Sequence, residues 1–278
     1  MQAITWVVAA TSDISWYRPV YSPDGKTLLF ERTTGGQTLL YTCPVDDGSN
    51  PVPFLQDVPA GLKNQTRPDW SRSAGNWIAF ADPANGIWLA DENGEQTQQL
   101  ANTAGMIYPS WYPDAQSMAV MVNGQGEGPY TAQIDRNGKF VQRLSPDSLF
   151  AGMPSISQAN SADLAFPGQK AVPPYNQDNN KVYISTSPSN ATLLDSAQGR
   201  APWWSPDGTL VAFESDRNGG NYALYVAQPD GSGLQQLTDP TVGAVHPKFS
   251  PDGKNIVFAG FQNPGDKKYS IGIIPFTP

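Results

Sequence analysis

Short apolar runs recur along the chain, each a few residues after a polar turn sequence. Thr27-Leu28-Leu29-Phe30 follows Ser22-Pro23-Asp24-Gly25, Leu210-Val211-Ala212-Phe213 follows Ser205-Pro206-Asp207-Gly208, and Ile256-Val257-Phe258-Ala259 follows Ser250-Pro251-Asp252-Gly253. Runs of this length between turn residues read as strands buried on both faces. Within the turn, Pro presets φ, Asp accepts the bridge conformation and Gly supplies a positive φ, so each tetrapeptide predicts a hairpin connection. No capped run of period 3.6 interrupts the series, which argues against helices between the strands.

An anchoring proline stands upstream of each turn. Pro19, Pro68, Pro109, Pro154, Pro202 and Pro247 are separated by 49, 41, 45, 48 and 45 residues, close to the ~40–50 of a four-stranded propeller blade. The copies at Arg67-Pro68-Asp69-Trp70-Ser71, Tyr108-Pro109-Ser110-Trp111-Tyr112 and Met153-Pro154-Ser155-Ile156-Ser157 lose or alter the turn. Apolar runs still follow two of them, at Ile78-Ala79-Phe80 and Leu164-Ala165-Phe166. The pattern predicts an all-β fold: one six-bladed β-propeller domain over residues 1–278, with four-stranded antiparallel blades starting near residues 17, 66, 107, 152, 200 and 245. A second set of turns joins the third strand to the fourth at Asp46-Asp47-Gly48, Glu92-Asn93-Gly94, Arg136-Asn137-Gly138 and Pro229-Asp230-Gly231. The last blade lacks a fourth strand, and the apolar residues 3–9 lack a blade. These residues are therefore expected to form its outer strand, closing the ring and covering an open edge.

Charge and composition narrow the partners. With 17 basic and 25 acidic residues the net charge is −8, which disfavours nucleic acid and anionic membrane surfaces as partners. No stretch approaches the roughly 20 apolar residues that span a bilayer, so membrane insertion is not expected. Cys43 is the one cysteine, so no intramolecular disulfide is possible. Met1 to Ala10 has neither the basic nor the apolar region of a signal peptide. Either the protein is cytoplasmic or this is a mature form whose leader Met1 replaces.

The series Trp204-Ser205-Pro206-Asp207-Gly208, Phe213-Glu214-Ser215-Asp216-Arg217-Asn218-Gly219, Leu224-Tyr225-Val226 and Leu237-Thr238 resembles the propeller repeat of the TolB family. The resemblance runs from about Arg18 to about Phe276, with its most specific motifs in blades one, five and six. Similar blades occur in peptidase-associated propellers and in some polysaccharide lyases. TolB proteins carry an α/β domain ahead of the propeller, whereas here about 17 residues precede the first anchor. The resemblance implies the propeller fold, a periplasmic or extracellular location, and a protein or peptide partner at a mouth of the central channel.

An enzyme reading finds little to work with. His246 is the one histidine, too few for a metal cluster, and no Gly-x-Ser-x-Gly elbow is present. The Asp-rich turns lack the oxygen spacing and distant Glu of a calcium loop, and Gly124-Gln125-Gly126-Glu127-Gly128 reads as a loop between strands. No cofactor or metal is expected, and a monomeric binding module is favoured over an enzyme.

The residues before the anchoring prolines begin the innermost strands, so they are expected to ring one channel mouth. They are Arg18, Arg67, Tyr108, Met153, Ala201 and His246, with Arg200 and Tyr17 beside them. Free arginines there would make an anion or carboxylate site; arginines paired with acidic neighbours would be structural. The alternative function is a carbohydrate-binding or polysaccharide-lyase-type propeller that takes an anionic glycan or small anion with Arg, Tyr and His246. Trp70, Trp111, Trp204 and Phe249 repeat at equivalent points and predict inter-blade core. Trp16, Tyr17, Trp203 and Tyr112 break the repeat and are surface candidates.

Overall fold

A computed structural model describes residues 3–72, 76–124 and 128–277; Gln125-Gly126-Glu127 of the glycine-rich loop lie outside the described residues. Six antiparallel sheets follow one another around a ring, five built from consecutive strands in the order inner to outer and the sixth completed by the N-terminal strand. Blade one runs Ser15–Tyr21, Thr27–Thr34, Gln37–Pro44 and Val52–Pro53, and blade five runs Arg200–Trp204, Val211–Ser215, Ala223–Ala227 and Gln235–Gln236. In blade four the inner strand is split into Leu149–Ala151 and Ser155–Ile156, both paired with Leu164–Lys170. Two three-residue 3-10 turns are the only helical elements among the described residues, and no helix there is long and apolar enough to cross a membrane.

The Ser-Pro-Asp-Gly turns share one geometry. In blade one the Ser22 hydroxyl donates to Asp24 Oδ1 at 2.6 Å and the Lys26 N–H donates to the same oxygen at 3.1 Å. Asp207 and Asp252 repeat both contacts. These bonds hold all three carboxyls below the usual carboxylate range, the serine hydroxyl contributing most. The acidic side chains are therefore committed to their own turns.

The ring closes through its N-terminal strand. Thr5–Val8 pairs antiparallel with Ser270–Pro275, Trp6 facing Gly272, and becomes the outer strand of blade six. Gly272 leaves room for it: a Cβ there would stand 3.0 Å from Ile4 and 3.1 Å from Trp6. Trp6 also meets Phe258 edge-on at 5.9 Å.

Each blade buries its strands against the next. Trp70 packs with Val20, Leu29 and Leu40 of blade one, Trp111 with Ala79 and Leu89 of blade two, and Trp204 with Val182 and Ile184 of blade four. Phe249 packs with Leu224 and Val226 of blade five. Trp16 departs from its expected surface position. It is 6% exposed, meets Phe30 edge-on at 5.4 Å, and donates its indole N–H to the Ala9 carbonyl at 3.0 Å. Strand alternation aims it into the seam between blade one and the closing strand, so the ring filled it with a core residue.

Candidate functional site

The site grows from one backbone irregularity repeated six times. In five blades the inner strand shifts register at the residue before the anchoring proline and the proline itself, as between Tyr17 and Val20. This is a bulge, because proline cannot donate to the ladder. At all six positions the residue before the proline is left-handed: Arg18, Arg67, Tyr108, Met153, Ala201 and His246 have φ between 41° and 56°. Left-handed geometry costs an ordinary residue about 1–2 kcal/mol. Six repetitions mean that the surrounding fold holds it in place.

All six residues line one narrow cavity on the channel axis, with a volume of about 50 Å³. Arg200, the other residue expected at the mouth, stands one position earlier and turns to a carboxylate outside the cavity lining. The lining is uneven. Blades one, two, three and six present Arg18, Arg67, Tyr108 and His246, whereas blades four and five present Met153 and Ala201.

The arginines fall into two classes. Arg18 Nη1 donates to Glu31 Oε2 at 2.8 Å, and the Arg200 guanidinium donates to Glu214 Oε1 through Nε at 3.1 Å and Nη2 at 3.0 Å. Both glutamates are buried, at 1% exposure. Their second oxygens tie blades together: Glu31 Oε1 accepts the Arg67 main-chain N–H at 2.5 Å, and Glu214 Oε2 accepts that of His246 at 2.7 Å. Burial pushes the Glu214 carboxyl upward. Arg200 and the His246 N–H pull against that, without cancelling it.

Arg67 differs. Its Nη1 donates to Thr66 Oγ1 at 2.9 Å and its guanidinium lies over the Tyr108 ring at 4.7 Å. Among the described residues no carboxylate comes within 4.0 Å of it. The Nε atoms of Arg67 and Arg18 are both buried without a hydrogen-bond partner there. Burial resists ionisation of the Tyr108 phenol, but Arg18 and Arg67 outweigh it and hold the phenol below its ordinary range.

Below this layer, Lys248 Nζ sits 4.0 Å above the Trp203 ring and 3.7 Å from Asp69 Oδ1, and donates to the Pro68 carbonyl at 3.2 Å. Burial lowers the Lys248 amine to about 8, with Asp69 opposing. Asp69 Oδ2 accepts the Trp111 N–H at 2.8 Å. Trp203, expected at the surface, thus helps to line the channel.

His246 is held neutral. Burial, then the positive charges of Arg18, Arg200, Lys248 and Arg67, keep it well below its usual 6.5. The Tyr17 ring stands edge-on to it at 4.7 Å. As the only histidine, it gives one imidazole Hε1 signal in a proton NMR spectrum. That signal is expected to show no titration step near about pH 6.5 while the protein is folded. The unfolded chain binds this proton more readily, so the histidine's stabilising contribution is full above about 6.5 and is lost as pH falls below it. Ordinary titration near 6.5 in the folded protein would contradict this geometry.

Sequence reasoning missed Glu31, Glu214, Asp69 and Lys248. A signal existed for the glutamates: each directly follows the Phe that ends a fully buried apolar run, where an uncompensated carboxylate is too costly to stand alone. Among the described residues no three His, Cys, Asp or Glu side chains converge as a metal site would require.

No family model matches the chain. Two curated relatives match short segments. An uncharacterized peptidase of Bacillus subtilis is 45% identical over 56 residues, 20% of this chain and 8% of the relative. An uncharacterized protein of Agrobacterium fabrum is 35% identical over 73 residues, 26% of this chain and 25% of the relative. The chain thus matches well under two thirds of either relative's length. Among solved structures, a TolB candidate from Agrobacterium tumefaciens superposes with a TM-score of 0.71 at 18% identity, over 99% of this chain and 97% of that one. TolB from Acinetobacter baumannii gives 0.63 at 17% identity, over 96% of this chain and 65% of that one. An oligogalacturonate lyase in complex with manganese gives 0.58 at 13% identity, over 100% and 98%. Backbone architecture is what these likenesses share, and by it the chain has the TolB-like six-bladed propeller fold.

Proposed function

We propose that the protein is a non-catalytic binding module of the TolB-like type, engaging a protein or peptide partner at the channel mouth bounded by Arg18, Arg67, Tyr108, Met153 and His246, with Arg200 behind them. One observation carries this reading: in a chain of net charge −8, six blades turn one residue each onto a single cavity that holds a guanidinium with no carboxylate partner among the described residues. Arginine and aromatic side chains are the groups enriched at interface hot spots, and Arg18 stacks on Tyr17 at 4.4 Å in this mouth. A monomer in an extracytoplasmic compartment belongs to the same reading.

The test is selection of displayed peptides on the folded chain, followed by affinity measurement against Ala201→Met. The ring already accepts Met at the equivalent position 153 with left-handed backbone, so Met at 201 should fold and fill the cavity. Selected peptides are expected to lose affinity at least about tenfold, the size of one lost anchor contact. Peptides that bind both forms equally would place recognition elsewhere and overturn the reading.

The second reading, a carbohydrate-binding or lyase-type propeller taking an anionic glycan, draws on the oligogalacturonate lyase likeness and the cationic cavity. The cavity's volume weighs against it, because about 50 Å³ holds roughly four waters and a sugar ring needs more. Cleavage of oligogalacturonate that is lost in His246→Gln would establish it over the first.

A further inference from the structure

Arg18, Arg67 and Lys248 line the same cavity as His246, and Arg200 stands behind it, so four cations act on the imidazole. Three buried carboxylates answer three of them, Glu31 with Arg18, Glu214 with Arg200 and Asp69 with Lys248. Arg67 is left over. The carboxylate nearest to hand, Glu31, gives one oxygen to Arg18 and the other to the Arg67 main-chain N–H. A half-buried guanidinium whose Nε is enclosed without a partner and which has no counter-ion is costly, and the cost is relieved by an anion that reaches it.

The shape of the cavity restricts that anion. It admits a group of about four water volumes, which suits a carboxylate with a carbon or two. Across from Arg67 and Arg18 the wall is Met153 and Ala201, an apolar surface that fits aliphatic substance beside the charge.

We propose that Arg67, backed by Arg18 and Tyr108, is an anchor for a single carboxylate of the bound segment, whose aliphatic neighbour lies against Met153 and Ala201. This rests on the reading of the mouth as a peptide-binding site and names the group that site selects. A planar guanidinium matches a carboxylate through paired N–H donors. The Tyr108 hydroxyl, 3.4 Å from Arg18 Nη2, stands beside it as a further polar contact. Both an α-carboxylate at a chain end and an Asp or Glu side chain carry the required chemistry.

Three short probes separate the possibilities: N-acetyl-alanyl-alanyl-leucine as the free acid, the same peptide as its amide, and the amide with glutamate at the middle position. Binding is followed by the lone imidazole resonance of His246, which sits in the ring and is not itself altered. One or both carboxylate peptides should bind at least about tenfold more tightly than the neutral amide, as one charge-assisted pair allows. Which of the two does so identifies the source of the carboxylate. Arg67→Gln should bring all three within about twofold of one another, and Arg67→Lys should recover part of the preference.

If the neutral amide shifts the resonance as strongly as the acids, the mouth binds peptide and the carboxylate anchor is wrong. If no probe moves the resonance, the peptide-binding reading falls with it. A preference for acid that survives in folded Arg67→Gln would also overturn the assignment. Should that variant fail to fold, the acid-to-amide ratio in the unaltered protein, and its reduction in Tyr108→Phe, decide the question.

Discussion

Removal of residues 1–10 is expected to lower the melting temperature by about 10–20 °C. The segment supplies the outer strand of blade six, and without it Ser270–Pro275 presents an unpaired edge. Val8 is 3% exposed, and Ile4 and Trp6 cover Gly272 and Phe258. Burying one aliphatic side chain fully is worth about 1.5–3 kcal/mol, and Trp6 and Ile4, half-buried, contribute part of that each. The Ala9 carbonyl also satisfies the Trp16 indole, and the Ala10 N–H donates to Ser270 Oγ at 2.8 Å. Together these amount to roughly 4–6 kcal/mol, or about 2–4 °C per kcal/mol for a domain near this size. Thermal melting by circular dichroism checks this. An unchanged melt would mean that the ring does not depend on this strand for closure.

Glu214→Leu should cost about 3–5 kcal/mol, the penalty for breaking a buried ion pair on one side. The substitution leaves Arg200, which is 13% exposed, with only the exposed Asp178 at 4.0 Å, and removes the acceptor of the His246 N–H at a left-handed residue. The melting temperature should fall by about 6–20 °C. Adding Arg200→Met should recover most of the loss, because the uncompensated charge is then gone. Glu214→Gln should cost less than Glu214→Leu, since its amide oxygen still accepts from His246. A Glu214→Leu melt within a degree or so of the parent would show that the carboxylate does not link blades five and six.

Much of the architecture was legible in the chain. Proline spacing counts the blades, because one strand-turn-strand unit needs a fixed length of chain to cross a sheet. The buried run after each turn marks the second strand, since both of its faces meet neighbouring blades. The repeat also pointed to residues 18, 67, 108, 153, 201 and 246 as equivalents, and the structure turns all six onto one cavity. Trp16 was misread because the strand that covers it, Thr5–Val8, pairs with blade six, and only the closed ring sets blade six beside blade one.

Arg18 and Arg67 show where sequence reading stops. Each precedes a proline at the same point of the repeat, and no local rule distinguishes them. Their fates diverge because Glu31, on the second strand of blade one, lies between the two. One of its oxygens reaches the Arg18 guanidinium and the other reaches only the main chain of Arg67. Pairing between blades is a matter of distance across the ring, and that distance exists only once six sheets have closed. The sequence by itself determined the strands and the blade count, because strand period and turn chemistry are local. The tertiary structure alone decided which cation kept a counter-ion, because charge pairing in a buried channel depends on neighbours brought from distant blades.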